Sequence, residues 1–137
     1  MTKELWINLP VKDLGKSKAF FADIGFPFNP KYPNHDEGAS LLIGEKNIVV
    51  MLFPEPAFKS FTRNEVTDTK QATEVLLSID ADSKEEVDEL IRKVEAAGGT
   101  IYSKPQANGW MYGAGFADLD GHRWNVLHMD PTLMPKG

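Results

Sequence analysis

The stretch "TEVLLSIDADSKEEVDELIRKVEAAGGT", residues 73–100, decides the fold. Residues 73–80 alternate, with Val75, Leu77 and Ile79 on one face and Glu74, Leu76 and Ser78 on the other, the period of a strand. The period then changes. Val87, Leu90, Ile91 and Val94 recur at helical spacing, Ser83 with Glu86 forms a capping box, and Gly98-Gly99 ends the run. A strand that feeds directly into a helix buries its apolar face beneath that helix.

The same transition occurs near the start of the chain, in "ELWINLPVKDLGKSKAFFADIGF", residues 4–26. Leu5, Ile7, Leu9 and Val11 share one strand face, opposite Glu4, Trp6, Asn8 and Pro10. Asp13 is placed as an N-cap, and Leu14, Ser17, Phe20, Phe21 and Ile24 follow at helical spacing before Gly25. The two transitions lie about 69 residues apart, from Asp13 to Asp82. "ASLLIG" and "NIVVMLF" follow the first helix as a hairpin around Gly44-Glu45-Lys46, beyond a proline-bearing tract at 26–37 read as loop with at most a short strand. A short strand at 100–102, a strand at 110–117, the turn Asp118–Gly121 and a strand at 122–128 follow the second. Each half therefore reads strand, helix, then two or three strands: an α+β fold of paired modules at 1–53 and 73–129. A connector at 54–72 joins them, in which "PAFKSF" could form one helical turn over the site or serve only as a link.

Composition bounds the function. The chain has 137 residues, 42% hydrophobic and 26% charged, which suits a packed domain. Twenty acidic against 15 basic residues give a net charge of −5, which argues against nucleic-acid binding. There is no cysteine, so disulfides, thiolate nucleophiles and zinc–thiolate sites are excluded together. The first residues carry no apolar signal core and no run reaches membrane-spanning length, which points to a soluble cytoplasmic protein.

The layout, with "VKDLGKSKAFF", the "DLDGH" turn and the late "AAGGTI", resembles the vicinal oxygen chelate superfamily across essentially the entire chain. That superfamily includes glyoxalase I, extradiol dioxygenases, fosfomycin-inactivating enzymes and bleomycin-binding proteins. More narrowly, the chain is similar to small bacterial proteins described as predicted lactoylglutathione lyases, a description that rests on fold analogy. The resemblance implies two βαβββ modules curled into a cupped mixed sheet, commonly in a homodimer, with a metal held in the cup by His or Gln on the first strand of each module and Glu on the last. Carried over residue by residue, those places fall on Trp6, on Val50 or Met51, on Glu74 and on Asn125. Indole has no lone pair for a metal, valine none either, and asparagine stands where metal-binding relatives carry glutamate. A Zn, Ni, Mn or Fe cofactor is therefore disfavoured, and the expectation is no metal.

The two histidines of "DLDGHRWNVLHMD" (118–130) do not restore a site. His122 and His128 share a face by parity but stand ~20 Å apart along a strand, against metal–nitrogen bonds of ~2 Å. They read as structural, with His122 finishing the turn and Trp124 in the core. Arg123, Asn125 and Leu127 take the other face. The ligand-lining residues expected in the cup are Trp6, Asn8, Glu74, Trp110, Tyr112, Arg123 and Asn125, with Ser78 beside them. Glu74 needs a partner there, either Arg123 or a cationic ligand, and unpaired it would be a candidate catalytic base. The glycines at 109, 113 and 115 have the wrong spacing for a phosphate loop and instead permit bending or close backbone approach. Three functions follow: a metal-free binder of a small molecule, a metal-dependent lactoylglutathione-lyase-like lyase or isomerase, and a metal-free enzyme with Glu74 as base.

Overall fold

A computed structural model describes residues 1–31 and 37–135. The chain divides into two compact units, Met1–Ala72 and Thr73–Gly137. The first holds β1 (Trp6–Val11), α1 (Leu14–Asp23), β2 (Ala39–Ile43), β3 (Ile48–Pro54) and α2 (Glu55–Thr62). Its sheet runs β1-β3-β2, with β1 parallel and β2 antiparallel to β3. A single bridge from Phe28 to Leu41 stands in for a further strand. Prolines 27 and 30 flank that bridge and offer no N–H to a ladder, so pairing stops after Asn29 N–H to the Ser40 carbonyl and Leu42 N–H to the Pro27 carbonyl. The loop expected at 26–37 is otherwise seen through Lys31 and again from Glu37; its Pro33 lies outside the described residues.

The second unit holds β4 (Leu76–Asp80), α3 (Lys84–Ala96), β5 (Thr100–Asn108), β6 (Met111–Ala117) and β7 (Arg123–Met129). Its sheet runs β4-β7-β6-β5, with β4 parallel to β7 and the other pairs antiparallel. The order repeats that of the first unit, with β1 matching β4 and β3 matching β7. The helix starts agree with their sequence signals. Asp13 Oδ1 accepts from Lys16 N–H, Ser83 Oγ accepts from Glu86 N–H, and Glu86 reaches back to Asp82 N–H.

In each unit the helix covers one sheet face. Leu9, Val11, Leu41, Val50 and Leu52 are buried on the α1 side with Phe20, Phe21 and Ile24. Val87, Ile91 and Val94 of α3 close over Ala114, Phe116, Trp124 and Val126. Burying each such side chain contributes about 1.5–3 kcal/mol. Trp124 stacks on Phe116 with ring centroids 6.2 Å apart and is 1% exposed, as its parity implies.

Three differences from the sequence reading bear on the site. β5 extends to Asn108 rather than stopping at residue 102, because it is the edge strand and tolerates Pro105 there. β4 begins at Leu76, which leaves Glu74 ahead of the strand. The 54–72 connector contains an eight-residue helix, α2, with Glu55-Pro56 opening it. Phe61 of α2 meets Phe53 of β3 edge to face at 5.0 Å, on the sheet face away from α1.

Candidate functional site

The face of each sheet opposite its helix is where a ligand could reach polar groups. In the first unit this open face carries Trp6, Asn8 and Pro10 of β1 beside Val49, Met51 and Phe53 of β3. Trp6 is 53% exposed and Asn8 is also exposed. Val50, expected at a ligand-equivalent position, points the other way. It pairs with Ile7 and Leu41 beneath α1, so Met51 is the residue that shares a face with Asn8.

In the second unit the open face is built on β7. Register aligns Arg123 with Leu76 and Ala117, Asn125 with Ser78 and Gly115, and Leu127 with Asp80 and Gly113. Three small residues on β6 leave room above the backbone, and Tyr102 fills it. β5 pairs Ile101 with Phe116 and then Ser103 with Gly115, so Tyr102 is the extra residue of a bulge. A bulge re-aims its side chain, and here the ring crosses the strand over Gly115. A Cβ on Gly115 would come within 2.7 Å of Tyr102 Oη, so only glycine allows this approach.

Tyr102 organises its neighbours. Its hydroxyl donates to Asn125 Oδ1 at 2.8 Å, with the Trp124 carbonyl at 3.2 Å. Its ring supports the Arg123 guanidinium, whose central carbon stands 4.3 Å from the ring centroid. Burial raises the Tyr102 phenol above its ordinary value, opposed by the charge of Arg123. Arg123 forms no ion pair among the described residues, and its buried Nε has no hydrogen-bond partner there. The amide nitrogen of Asn125 is likewise without a partner among the described residues. The cluster thus offers donors and a positive charge, with its amide oxygen already accepting from Tyr102.

The turn before β7 holds this strand in place. Asp118 Oδ1 accepts from the N–H groups of Asp120 and His122, both at 3.0 Å, and Oδ2 accepts from the Trp124 indole at 3.2 Å. Burial raises the Asp118 carboxyl above the usual range, against the opposing pull of His122 and the Trp124 indole. His122 completes the turn. His128 lies on the helix side, paired with Tyr112, and its Nδ1 is 3.1 Å from the Ala81 carbonyl.

Three expected lining residues lie away from this cluster. Tyr112 is on the α3 side of β6, in line with Ala114 and Phe116, and donates to Asp88 Oδ1 at 2.6 Å. That hydrogen bond is the main reason its phenol is held above the ordinary value. Trp110 belongs to the β5–β6 turn with Gly109 rather than to a strand, and its carbonyl accepts from Asp130 N–H. Glu74 is exposed ahead of β4, pairs with no cation among the described residues, and is not partnered by Arg123.

The positions at which the resemblance puts metal ligands do not fit a divalent ion. Trp6 supplies only a donor and Val50 faces the core. Glu74 stands off the strand, and Asn125 Oδ1 is engaged by Tyr102 beside a guanidinium. Among the described residues no three His, Asp or Glu side chains gather closely enough to hold an ion.

Paired modules of this topology define the vicinal oxygen chelate fold. The chain belongs to the glyoxalase/bleomycin resistance protein/dioxygenase superfamily, whose family profile matches residues 5–126. Among solved structures it is similar to hypothetical protein SA1046 from S. aureus, with 34% identity, a TM-score of 0.82, and coverage of 93% of this chain and 94% of that one. It shares the fold of a glyoxalase/bleomycin resistance protein/dioxygenase family enzyme from Burkholderia phytofirmans PsJN (20% identity, TM-score 0.74, covering 90% and 96%). The fosfomycin resistance protein FosX from Listeria monocytogenes also shares it (21% identity, TM-score 0.67, covering 96% and 97%). No curated protein matches the sequence. No described helix is long and apolar enough to cross a membrane.

Proposed function

We propose that the protein binds a small organic molecule on its open sheet faces and does so without the superfamily's metal. The observation that carries this reading is the Tyr102–Arg123–Asn125 cluster. A bulge, a glycine and a stacked arginine hold polar groups in fixed positions on a face that its own helix leaves uncovered. Asn8 and Trp6 give the first unit's open face a similar pairing of amide and aromatic ring. A lyase or isomerase reaction of the lactoylglutathione type requires a Lewis acid to stabilise an enediolate, and the donor set does not provide for one. A metal-free enzyme using Glu74 as base is less well supported, because that side chain is exposed and pairs with no cation among the described residues. The same reading carries a cytoplasmic homodimer, checked by the mass of the purified protein in solution.

Thermal unfolding against a panel of small metabolites and drugs tests the proposal. A ligand present at about 100 times its Kd raises stability by about 2.7 kcal/mol, and the response should persist after chelation. Stoichiometric Zn, Ni, Mn or Fe retained through chelation, with loss of ligand response when it is stripped, would sink the metal-free reading.

A further inference from the structure

We propose that the second unit's open face is an oxyanion receptor, in which Arg123 and the Asn125 amide nitrogen take the carboxylate or phosphoryl group of the ligand. This rests on the reading that the face binds a small molecule. The chemistry of the cluster sets the sign. A partly desolvated guanidinium beside an amide whose oxygen already accepts from Tyr102 presents mainly donors and a full positive charge, so a neutral or cationic ligand leaves Arg123 uncompensated while an oxyanion satisfies it. The buried Nε without a partner marks the same deficit.

The chain has 20 acidic residues, yet among those described none is bonded to Arg123. Asp80 shares this face, but it pairs with Leu127 rather than Arg123, four residues along the strands and about 13 Å away. The Arg123 end is therefore the anion end. Arg123 and Asn125 are two residues apart on one face, so their Cα atoms stand about 6–7 Å apart and both side chains rise from the same stretch of β7 to reach one oxyanion. Ser78, aligned with Asn125, adds a hydroxyl, while Leu127, Met111 and Leu76 supply apolar surface for the rest of the ligand. Tyr102 is a positioning residue: its ring fixes the guanidinium plane and its hydroxyl fixes which end of the Asn125 amide faces out. The ligand class is a small carboxylate or phosphoryl compound with an apolar body.

Two dyes of like shape test this by fluorescence titration: anilinonaphthalene sulfonate, an anion, and phenylnaphthylamine, which is uncharged. The intact protein should bind both. Arg123→Met should weaken the anionic dye at least about tenfold and the uncharged dye by less than about threefold, and Arg123→Lys should restore part of the loss. Asn125→Asp, nearly isosteric, places a carboxylate beside the guanidinium and should exclude only the anionic dye, independently of any folding defect in Arg123→Met. Equal effects on both dyes, or none on the anion, overturn the proposal. Failure of both dyes to bind the intact protein instead overturns the binding reading beneath it. Competition by benzoate or by inorganic phosphate identifies the source of the oxyanion, and displacement by neither also overturns the proposal.

Discussion

Replacing Gly115 with alanine should unseat Tyr102. The added Cβ would lie 2.6 Å from Tyr102 Cε1 and 2.7 Å from Oη, closer than carbon and oxygen tolerate, and the Tyr102 ring is the part that can move. Gly115 does not have a positive φ, so the backbone accepts alanine, and reduced freedom of the unfolded chain contributes about 0.5 kcal/mol in favour of the variant. Against this stand the stacked Arg123 contact, about 1 kcal/mol, and the hydroxyl bond to Asn125, about 1 kcal/mol, together with ring surface returned to water. The expected net loss is about 2 kcal/mol, a fall in Tm of about 6–10 °C for a chain of 137 residues. Thermal and urea unfolding followed by circular dichroism would measure it. The decisive comparison is a double-mutant cycle with Tyr102→Ala. Once the ring is gone, Gly115→Ala should cost nothing or stabilise slightly, giving a coupling of about 2 kcal/mol. An equal cost in both backgrounds would refute the claim that the glycine exists to seat Tyr102.

Asp118→Ala removes the acceptor of three N–H donors and should destabilise by about 3 kcal/mol or more in urea unfolding, whereas Asp118→Asn should cost about 1–2 kcal/mol, because an amide N–H then meets the Trp124 indole N–H. Since burial raises the Asp118 carboxyl in the folded state, its protonated form is favoured by folding. That contribution is complete below the unfolded value of about 3.9 and disappears as pH rises through the higher folded value, so the advantage of the intact protein over Asp118→Asn should shrink over that interval. A flat difference across the interval would contradict the direction of the shift. Ser83→Ala should lower stability by about 1 kcal/mol through loss of the α3 cap, read as a shift in urea midpoint.

The fold was legible where apolar spacing is strong. Val87, Ile91 and Val94 on α3, and the alternation of β1 and β7, each encode both the element and its buried face, whereas the continuous apolar run of β3 encodes the strand but not which face is buried. The candidate site was less legible for two local reasons. β6 reads Met-Tyr-Gly-Ala-Gly-Phe-Ala, and its run of small residues gives no hydrophobic alternation to anchor a face, so the sequence does not encode that Tyr112 lies on the α3 side. β5 contains Lys104-Pro105 and two register irregularities, which break the period of two, so the sequence does not single out Tyr102 although it is the residue that joins Arg123 to Asn125. The signal that could have found it is Gly115 itself, on a neighbouring strand with no turn to make. Trp110 shows the usual uncertainty of a strand end, where a residue on either side of a hairpin turn has the same composition signature.

Because Tyr102 is the surplus residue of a bulge, the ladder between β5 and β6 resumes at Ser103 whatever side chain occupies position 102. Most residues that shape a pocket in a sheet are also rungs of it, so changing them trades recognition against folding. Position 102 is released from the register part of that compromise, and what its side chain adds to stability comes through Arg123 and Asn125. A substitution at position 102 therefore alters what rests against Arg123 and Asn125 while the strand pairing that defines the module keeps its register.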